Sequence, residues 1–187
     1  MRIISGISRG TKLYTLEGEN TRPTLDRIKE PLFSIIQTYI KDSIVLDLFA
    51  GSGALALEAL SRGAKKAVLC DKSYEAVNII RKNIEKTHNE NKTKVLCMDY
   101  KRCINTINQQ FDLIFIDPPY KLDIAVKSIQ LILEKDLLSK EGILVLETDD
   151  ENRELLEIKE LNYDIKIIDV RTYGRVKLIF LEKEERG

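Results

Sequence analysis

Short apolar runs alternate with helix-like segments from Ser43 to the end of the chain, and this alternation constrains the possible folds more than any other feature. The runs predict seven strands, at Ile44–Leu48, Lys66–Cys70, Thr93–Met98, Phe111–Ile116, Glu141–Glu147, Asp164–Val170 and Arg175–Glu182. Strands that alternate with helices are typical of a doubly wound, Rossmann-like α/β sheet, which is mostly parallel and binds ligands at the carboxyl ends of its strands. Because only a turn at Tyr173-Gly174 separates the last two runs, we expect them to pair as an antiparallel hairpin.

Two helices can be placed between the first three strands. The first is predicted from about Ala54 to Arg62, where Gly63 suits the left-handed residue that commonly ends a helix. The second begins near Ser73 and repeats apolar residues along one face: Ala76, Ile80, Ile84. The strand Phe111–Ile116 is apolar at nearly every position, as expected for a central parallel strand covered on both faces.

Residues 1–42 have a different character, with glycines, hydroxyl side chains and basic residues near the start. We predict that they form a short β-like arm and a helix that contact substrate and cofactor, while residues 43–187 form one α/β domain. The helix is predicted from about Thr24 to Tyr39. Pro31 would cost about 3 kcal/mol in a regular helix interior, so we expect either a kink or a helix start near Glu30.

The charges of the chain balance, since 30 basic and 30 acidic residues give a formal net charge of zero. This balance argues against a protein that coats nucleic acid through bulk electrostatics. If the chain binds RNA, it must do so through a local basic patch, by shape, or by gripping a single base.

The three cysteines, Cys70, Cys97 and Cys103, include no Cys-x-x-Cys pair. Cys70 and Cys97 lie within apolar strand-like runs, so we expect buried thiols in a reducing environment, without a disulfide framework or a zinc site. No apolar run approaches the roughly 18 residues needed to span a membrane, and the N-terminus lacks the apolar segment of a signal peptide. We therefore expect a cytoplasmic protein with neither a membrane partner nor a bound metal.

A glycine-containing turn, Asp47–Gly53, lies between the first predicted strand and its helix. Glycine lets the backbone pass close to a ligand where a Cβ atom would collide. The spacing Gly51-x-Gly53-x-x-Ala56 fits the dinucleotide fingerprint, and Asp71 stands where a ribose-binding acid belongs. Taken alone, this pattern leaves both NAD and S-adenosylmethionine open. The turn residues predicted to contact the cofactor are Asp47, Phe49, Ala50, Gly51, Ser52 and Gly53.

Asp47, Asp71 and Asp99 stand at the ends of three successive predicted strands, and together they favour S-adenosylmethionine. Asp47 would suit the cationic amino group of that cofactor better than it would suit a pyrophosphate. Asp71 can accept hydrogen bonds from both ribose hydroxyls, and Asp99 can accept one from the adenine amino group. The next residues along the chain, Lys72 and Tyr100, are also predicted to contact the cofactor.

The tetrapeptide Asp117-Pro118-Pro119-Tyr120 follows the fourth predicted strand and predicts the chemistry. An exocyclic amine of a purine is a poor nucleophile because its lone pair is delocalised into the ring. The Asp117 carboxylate and the Pro118 carbonyl can accept its two hydrogens, which favours a pyramidal nitrogen, and the prolines hold that carbonyl rigidly. Tyr120 can stack on the extruded base, an interaction worth about 1–3 kcal/mol. We predict that these four residues are catalytic.

The sequence resembles the class I methyltransferases, and specifically the bacterial 16S ribosomal RNA guanine-N2 methyltransferase D family. The blocks that carry the resemblance are Arg2–Gly10 with Thr21–Arg27, Asp47–Ala64, and Asp117–Tyr120. The last block occurs in many enzymes that methylate amino groups, so the first block is the specific one.

This resemblance implies that S-adenosylmethionine is the cofactor and that one guanine N2 of 16S ribosomal RNA is methylated, in an assembling or assembled small subunit. It also implies that Arg22, Thr24 and Arg27 bind substrate. The sequence departs from the family at Ser5 and Ala56, where glycine is frequent, and at Pro31, where a small helix former is expected.

The residues of the arm also indicate RNA binding independently of the resemblance. Arg2, Arg9 and Lys12 precede every acidic residue of the chain. Two or three phosphate contacts would help to orient RNA, so Arg2 and Arg9 are predicted to bind substrate. Lys12 has the weaker case, since scattered lysines usually belong to a solvated surface. His88, the single histidine, is predicted to be exposed and without a role.

Three other functions remain open on the sequence. The Asp117–Tyr120 tetrapeptide would equally serve an adenine-N6 methyltransferase acting on DNA or RNA, although no large target-recognition domain is present. The glycine turn would serve an NAD-dependent oxidoreductase, but a proton donor other than Asp and Tyr is not evident. A non-catalytic RNA-binding assembly factor would have no need of an intact Asp117–Tyr120.

Overall fold

The computed structural model describes residues 1–16, 23–119, 124–149, 151–161 and 163–184, with the backbone alone at 23–26 and 151–152. In chain order the strands are Ile44–Asp47 (β1), Lys66–Asp71 (β2), Thr93–Cys97 (β3), Phe111–Ile116 (β4), Leu138–Thr148 (β5), Ile165–Tyr173 (β6) and Val176–Lys183 (β7). The helices are Pro23–Ile35 (α1), Ala54–Ser61 (α2), Tyr74–Lys86 (α3), Tyr100–Thr106 (α4), Ala125–Glu134 (α5) and Glu151–Glu160 (α6), with 3-10 turns at Gln37–Tyr39 and Glu90–Lys92.

The strands form one sheet in the order β3-β2-β1-β4-β5-β7-β6. Strands β1 to β5 are parallel, whereas β7 pairs antiparallel with both β5 and β6. The order matches a doubly wound dinucleotide-binding sheet except that the last strand inserts between β5 and β6. The predicted α/β class, parallel sheet and antiparallel hairpin are confirmed. Strand β5 begins earlier than predicted, at Leu138, which pairs with Phe111 across a bulge in the β4–β5 register.

Two apolar layers cover the sheet, one on each face. On one face α1, α2, α3 and the arm pack against residues such as Val45 and Phe115. On the other face α4, α5 and α6 pack against residues such as Leu46 and Ile114. Alternate residues of the central strands therefore point to opposite layers, which explains their continuous apolar sequence.

Helix α1 begins at Pro23 and continues through Pro31, so the alternative of a helix start near Glu30 is wrong, while the alternative of a kink at Pro31 stays a prediction. Proline is well tolerated in the first turn of a helix, where its missing N–H has no intrahelical partner. Buried apolar side chains lie on both sides of Pro31 along the chain: Ile28, Leu32, Phe33 and Ile36. Each contributes about 1.5–3 kcal/mol by burial, so together they outweigh the cost of about 3 kcal/mol for an internal proline.

The cysteines are all free, and of Cys70 and Cys97, both predicted to be buried, only Cys70 is buried. Cys70 and Cys103 are buried, whereas Cys97 is exposed because it ends β3, the strand at the edge of the sheet. His88 is exposed, as predicted, and adopts a left-handed conformation just after α3. Within the described ranges, no helix is long and apolar enough to cross a membrane, and no group of three or more potential ligands could hold a metal ion.

Candidate active site

The carboxyl ends of β1 and β4 lie side by side, and this adjacency creates the candidate site. Asp47 pairs with Phe115 in the parallel register, and the Leu48 N–H donates to the Phe115 carbonyl at 3.1 Å. Phe49 and Asp117 each follow these paired residues by two positions, so the glycine turn and the Asp117 segment leave the sheet at the same edge. A ligand of the glycine turn and a group bound at Asp117 would therefore be neighbours.

The glycine turn adopts backbone conformations that require its glycines. Gly51 and Gly53 have φ angles of 55° and 79°, in the left-handed region. The Gly53 N–H donates to the Ala50 carbonyl at 2.6 Å, and Gly53 caps the N-terminus of α2. A Cβ atom at Gly53 would approach Leu69 to 3.0 Å, whereas one at Gly51 would meet no atom within 4 Å. At Gly53 the turn packs closely against the side chain of Leu69, whereas at Gly51 there is free space beside the backbone.

Asp71 connects the glycine turn to the start of α3. One carboxylate oxygen accepts the Gly51 N–H at 2.9 Å, and the other accepts the Ser73 N–H at 2.8 Å. Each carboxylate oxygen has two acceptor sites, so the hydroxyls of a ribose can still donate to this partly exposed group. Its position and chemistry agree with the predicted ribose-binding role, which stays a prediction.

Asp99 also has a structural role, because it is the N-cap of α4. Its Oδ1 atom accepts the N–H groups of Lys101 and Arg102 at 3.0 and 3.1 Å, and the side chain is exposed. An aspartate at this position is explained by capping alone. The adenine contact predicted for Asp99 would be a second role, and it stays a prediction.

An aromatic pair lies beside Asp99. The rings of Phe49 and Tyr100 are 5.6 Å apart between centroids and inclined by 40°. The Tyr100 hydroxyl is buried and has no hydrogen-bond partner among the described residues. Burial, with the nearby Asp99 charge, raises the pKa of Tyr100. A buried hydroxyl without a partner beside two rings and a carboxylate fits a planar, polar ligand such as an adenine ring.

Asp47 is the deepest acid of the site, with 2% of its side chain exposed. Burial raises its pKa to about 7, and the Asp71 charge adds to this rise, while the Ala56 N–H at 3.3 Å opposes it. A nearby cation would favour the charged carboxylate. Asp47 therefore fits the predicted contact with a cationic amino group, which stays a prediction. The next cofactor candidate, Lys72, is exposed.

The segment that follows β4 is described as far as Pro119. Asp117 is partly buried, Pro118 is buried and Pro119 is exposed. No peptide bond in the described chain is cis, so both prolines are trans. Tyr120 lies outside the described residues, and its predicted stacking role is not tested.

Comparison with known proteins assigns the chain to a family. Residues 1–182 match the family described as conserved hypothetical protein 95. Ribosomal RNA small subunit methyltransferase D of Haemophilus influenzae is 38% identical over 152 residues, which cover 80% of this chain and 79% of the relative. The chain belongs to the ribosomal RNA small subunit methyltransferase D family.

Two further relatives extend the similarity to the full length of this family member. YlbH of Bacillus subtilis, a candidate rRNA methyltransferase, is 34% identical over 186 residues, which cover 98% of this chain and 99% of YlbH. The solved structure of yhhF from Escherichia coli, a candidate methyltransferase, covers 100% of this chain and 99% of its own at 27% identity, with a TM-score of 0.84. The resemblance seen in the sequence is thus confirmed, and the fold is that of a class I methyltransferase.

The arm of this methyltransferase D family member is a short hairpin. Arg2 pairs antiparallel with Lys12, and the Ile3 N–H donates to the Thr11 carbonyl at 3.0 Å. At its tip, Gly6 has a φ of 85°, and a Cβ atom there would lie 1.8 Å from the Ser61 carbonyl oxygen. Only glycine allows this approach, so the arm is seated directly on α2.

The residues predicted to bind substrate are only partly covered by the structure. Arg2, Arg9 and Arg27 have exposed side chains. Arg22 lies outside the described residues, and Thr24 belongs to the part of α1 where only the backbone is described. The hairpin brings Arg2 and Lys12 opposite each other, which makes one local basic patch on a neutral protein.

Sequence reasoning missed the buried polar residues that hold the arm in place. Glu58 of α2 and Asn83 of α3 are fully buried and bind the arm backbone, and Lys29 of α1 is buried against Glu58 at 3.1 Å. A signal was available for each of them. Each one interrupts an otherwise apolar helical stripe, and a polar side chain on a buried stripe must have partners.

The raised pKa of Asp47 predicts a pH-dependent stability. Between its ordinary value of 3.8 and about 7, the folded state keeps a proton that the unfolded state releases, so this group destabilises the fold as pH rises through that window. We expect Asp47→Asn to raise the melting temperature at pH 8 by roughly 2–4 °C or more, with little change at pH 4. Melting curves of both proteins at the two pH values test this, and an equal shift at both would contradict it.

Proposed function

We propose that this protein transfers a methyl group from S-adenosylmethionine to the exocyclic N2 amine of a guanine in 16S ribosomal RNA of the small subunit. The observation that carries the proposal is the pairing of β1 with β4, which brings the tip of the Asp117 segment beside the glycine turn. Family membership supports it, because relatives are named small-subunit rRNA methyltransferases.

The cofactor would supply an electrophilic methyl group on a sulfonium. Our proposal assigns its amino group to Asp47, its ribose to Asp71 and its adenine to the Phe49–Tyr100 pair with Asp99. The backbone of Ala50, Gly51, Ser52 and Gly53 would pass beneath it, and Lys72 would lie at its edge. The buried unpartnered hydroxyl of Tyr100 supports this assignment, since a polar ligand would satisfy it.

The Asp117 segment would activate and orient the amine. Asp117 accepts one amine hydrogen and the Pro118 carbonyl accepts the other, so that the nitrogen lone pair points out of the ring system. Methyl transfer would form the new N–C bond as the methyl group leaves the sulfonium, and the proton lost from the nitrogen would pass to Asp117 or to water. This mechanism depends on alignment and electrostatics rather than on a strong base. Pro119 would keep the segment rigid, and Tyr120 would stack on the base.

In this proposal, residues 1–42 bind the RNA and residues 43–187 carry out the methyl transfer. Phosphates would be bound by the exposed Arg2, Arg9 and Arg27, with Arg22 and Thr24 as further contacts. Because the net charge is zero, such a patch would orient RNA locally rather than attract it from a distance. The RNA would be presented within the small subunit or its precursor, in the cytoplasm.

The decisive experiment maps the modified base. Labelled S-adenosylmethionine is supplied with naked rRNA, small subunits and DNA from a strain that lacks the modification. We expect label in 16S rRNA alone, on a guanine N2. Label on adenine N6 would support an adenine-N6 methyltransferase, which the same tetrapeptide allows. A protein that binds NAD but does not bind S-adenosylmethionine would contradict the proposal.

A further inference from the structure

Asn83 joins the arm to the glycine turn through a single buried side chain. Its Oδ1 atom accepts the Tyr14 N–H at 2.7 Å, and its Nδ2 atom donates to the Tyr14 carbonyl at 2.9 Å. The same Nδ2 atom donates to the Ser52 carbonyl at 2.9 Å. Asn83 is 0% exposed and its bond to Ser52 is buried, whereas its two bonds to Tyr14 are partly buried.

The three bonds fix the orientation of the amide completely. An asparagine amide has two N–H donors and an oxygen acceptor. One N–H donor and the oxygen bind the carbonyl and the N–H of Tyr14, in the way that a neighbouring strand binds a backbone. The second N–H donor binds the Ser52 carbonyl. A shift of the arm by about one ångström would therefore lengthen the bonds to Tyr14 or pull the amide away from Ser52.

The Ser52 carbonyl is well placed to control the turn. Ser52 lies between Gly51 and Gly53, both of which have positive φ angles. Glycine restricts the backbone less than any other residue. The conformation of the turn therefore depends on the hydrogen bonds of Ser52, which lies between the two glycines. The arm also meets this residue directly, since the Met1 sulfur lies 3.9 Å from the Ser52 hydroxyl.

We infer that Asn83 is a positioning residue, which holds the glycine turn in its cofactor-binding conformation only while the arm is seated. The inference rests on the proposed function, with S-adenosylmethionine at the turn and RNA at the arm. Since each ligand stabilises one end of the same bonded unit, each increases the affinity for the other, and the two effects are equal.

A purely structural asparagine is available as a matched control. Asn89 is 1% exposed, and its Nδ2 atom donates to the carbonyl and the hydroxyl of Thr87 at 3.1 and 3.0 Å. These bonds stay at the C-terminal end of α3, away from the arm and the turn. Asn89→Ala and Asn83→Ala both remove a buried amide and should lower the melting temperature similarly.

The first measurement is the dissociation constant of S-adenosylmethionine by calorimetry, well below the melting temperatures. We expect Asn83→Ala to weaken binding about tenfold or more, because the buried Ser52 carbonyl loses its donor, and Asn89→Ala to change it less than about twofold. If Asn83→Ala folds poorly, Asn83→Leu fills the same space without a charge and also lacks both donors, and the same weakening is expected. Unchanged affinity in a folded Asn83 variant, or equal losses in the Asn83 and Asn89 variants, overturns the inference. A wild-type protein that binds no S-adenosylmethionine overturns the proposed function instead.

The second measurement tests the coupling. S-adenosylhomocysteine, which cannot donate a methyl group, is titrated into the protein with and without a 16S rRNA fragment. We expect RNA to tighten its binding about fivefold or more in the wild type and in Asn89→Ala, a typical coupling between sites, and to have almost no effect in Asn83→Ala. Equal factors in the wild type and Asn83→Ala, or no coupling in the wild type, contradict the role of Asn83.

Discussion

Asp117→Ala is expected to reduce methyl transfer by about 10²–10³-fold while the affinity for S-adenosylmethionine stays within about threefold. The substitution removes one of the two acceptors that would orient the amine. Asp117 follows β4 at the edge of the sheet where the glycine turn follows β1, so the change lies outside the turn itself. Single-turnover rates with saturating RNA isolate this step, because they exclude product release. Calorimetry measures the cofactor affinity separately.

Two variants make this prediction specific. Asp117→Asn keeps the shape and one acceptor oxygen, so its rate should fall between the wild type and Asp117→Ala. Asp71→Ala should show the opposite pattern, with cofactor binding weakened first, because it loses both the proposed ribose acceptor and the bond to Gly51. Full activity in Asp117→Ala would remove the proposed mechanism, whatever the behaviour of Asp71→Ala.

The sheet could be predicted because each strand carries its own signal. The run Phe111–Ile116 is apolar at every position except Asp112 and is β4 with the same bounds, and Gly63 has the left-handed φ of 110° expected just after α2. The position of Asp117 relative to Asp47 needed the strand order, which apolar periodicity does not contain. The doubly wound class supplied that order, since its fourth strand lies beside its first.

The errors share a physical cause, which is tertiary context. Pro31 is accommodated because burial along α1 outweighs a local penalty, and Cys97 is exposed because β3 has only one neighbouring strand. The partners of buried polar groups also cannot be identified from the sequence alone. Asn83 lies 69 residues from its partner Tyr14, so a sequence can show that it needs partners without showing which ones.

Glu58→Ala is expected to produce the largest loss of stability, about 3–5 kcal/mol. The Glu58 carboxylate is 0% exposed and accepts the N–H groups of Ile4 and Ser5 at 2.8 and 3.0 Å, the Arg62 Nε–H at 2.8 Å, and the Lys29 ammonium at 3.1 Å. Removing it takes the Glu58 carboxylate away from the buried Lys29 ammonium, which also donates to the Arg2 carbonyl at 2.6 Å, and it releases the start of the arm. Urea denaturation measures the loss, and hydrogen exchange should show faster exchange in residues 1–16.

An exposed ion pair and acidic pH provide the controls for Glu58. Glu157 pairs with Arg153 at 3.8 Å on the surface of α6, and Glu157→Ala should lower the free energy of unfolding by less than about 1 kcal/mol.

Burial alone would raise the pKa of Glu58, but the Ile4 N–H, Lys29 and Arg62 together lower it below the ordinary 4.5. The stabilisation is therefore complete above pH 4.5 and is lost as pH falls through the lowered pKa. Glu58→Gln cannot titrate, so its difference from the wild type should shrink in acid, and a constant difference down to pH 3 would show that the charge of Glu58 does not hold the arm.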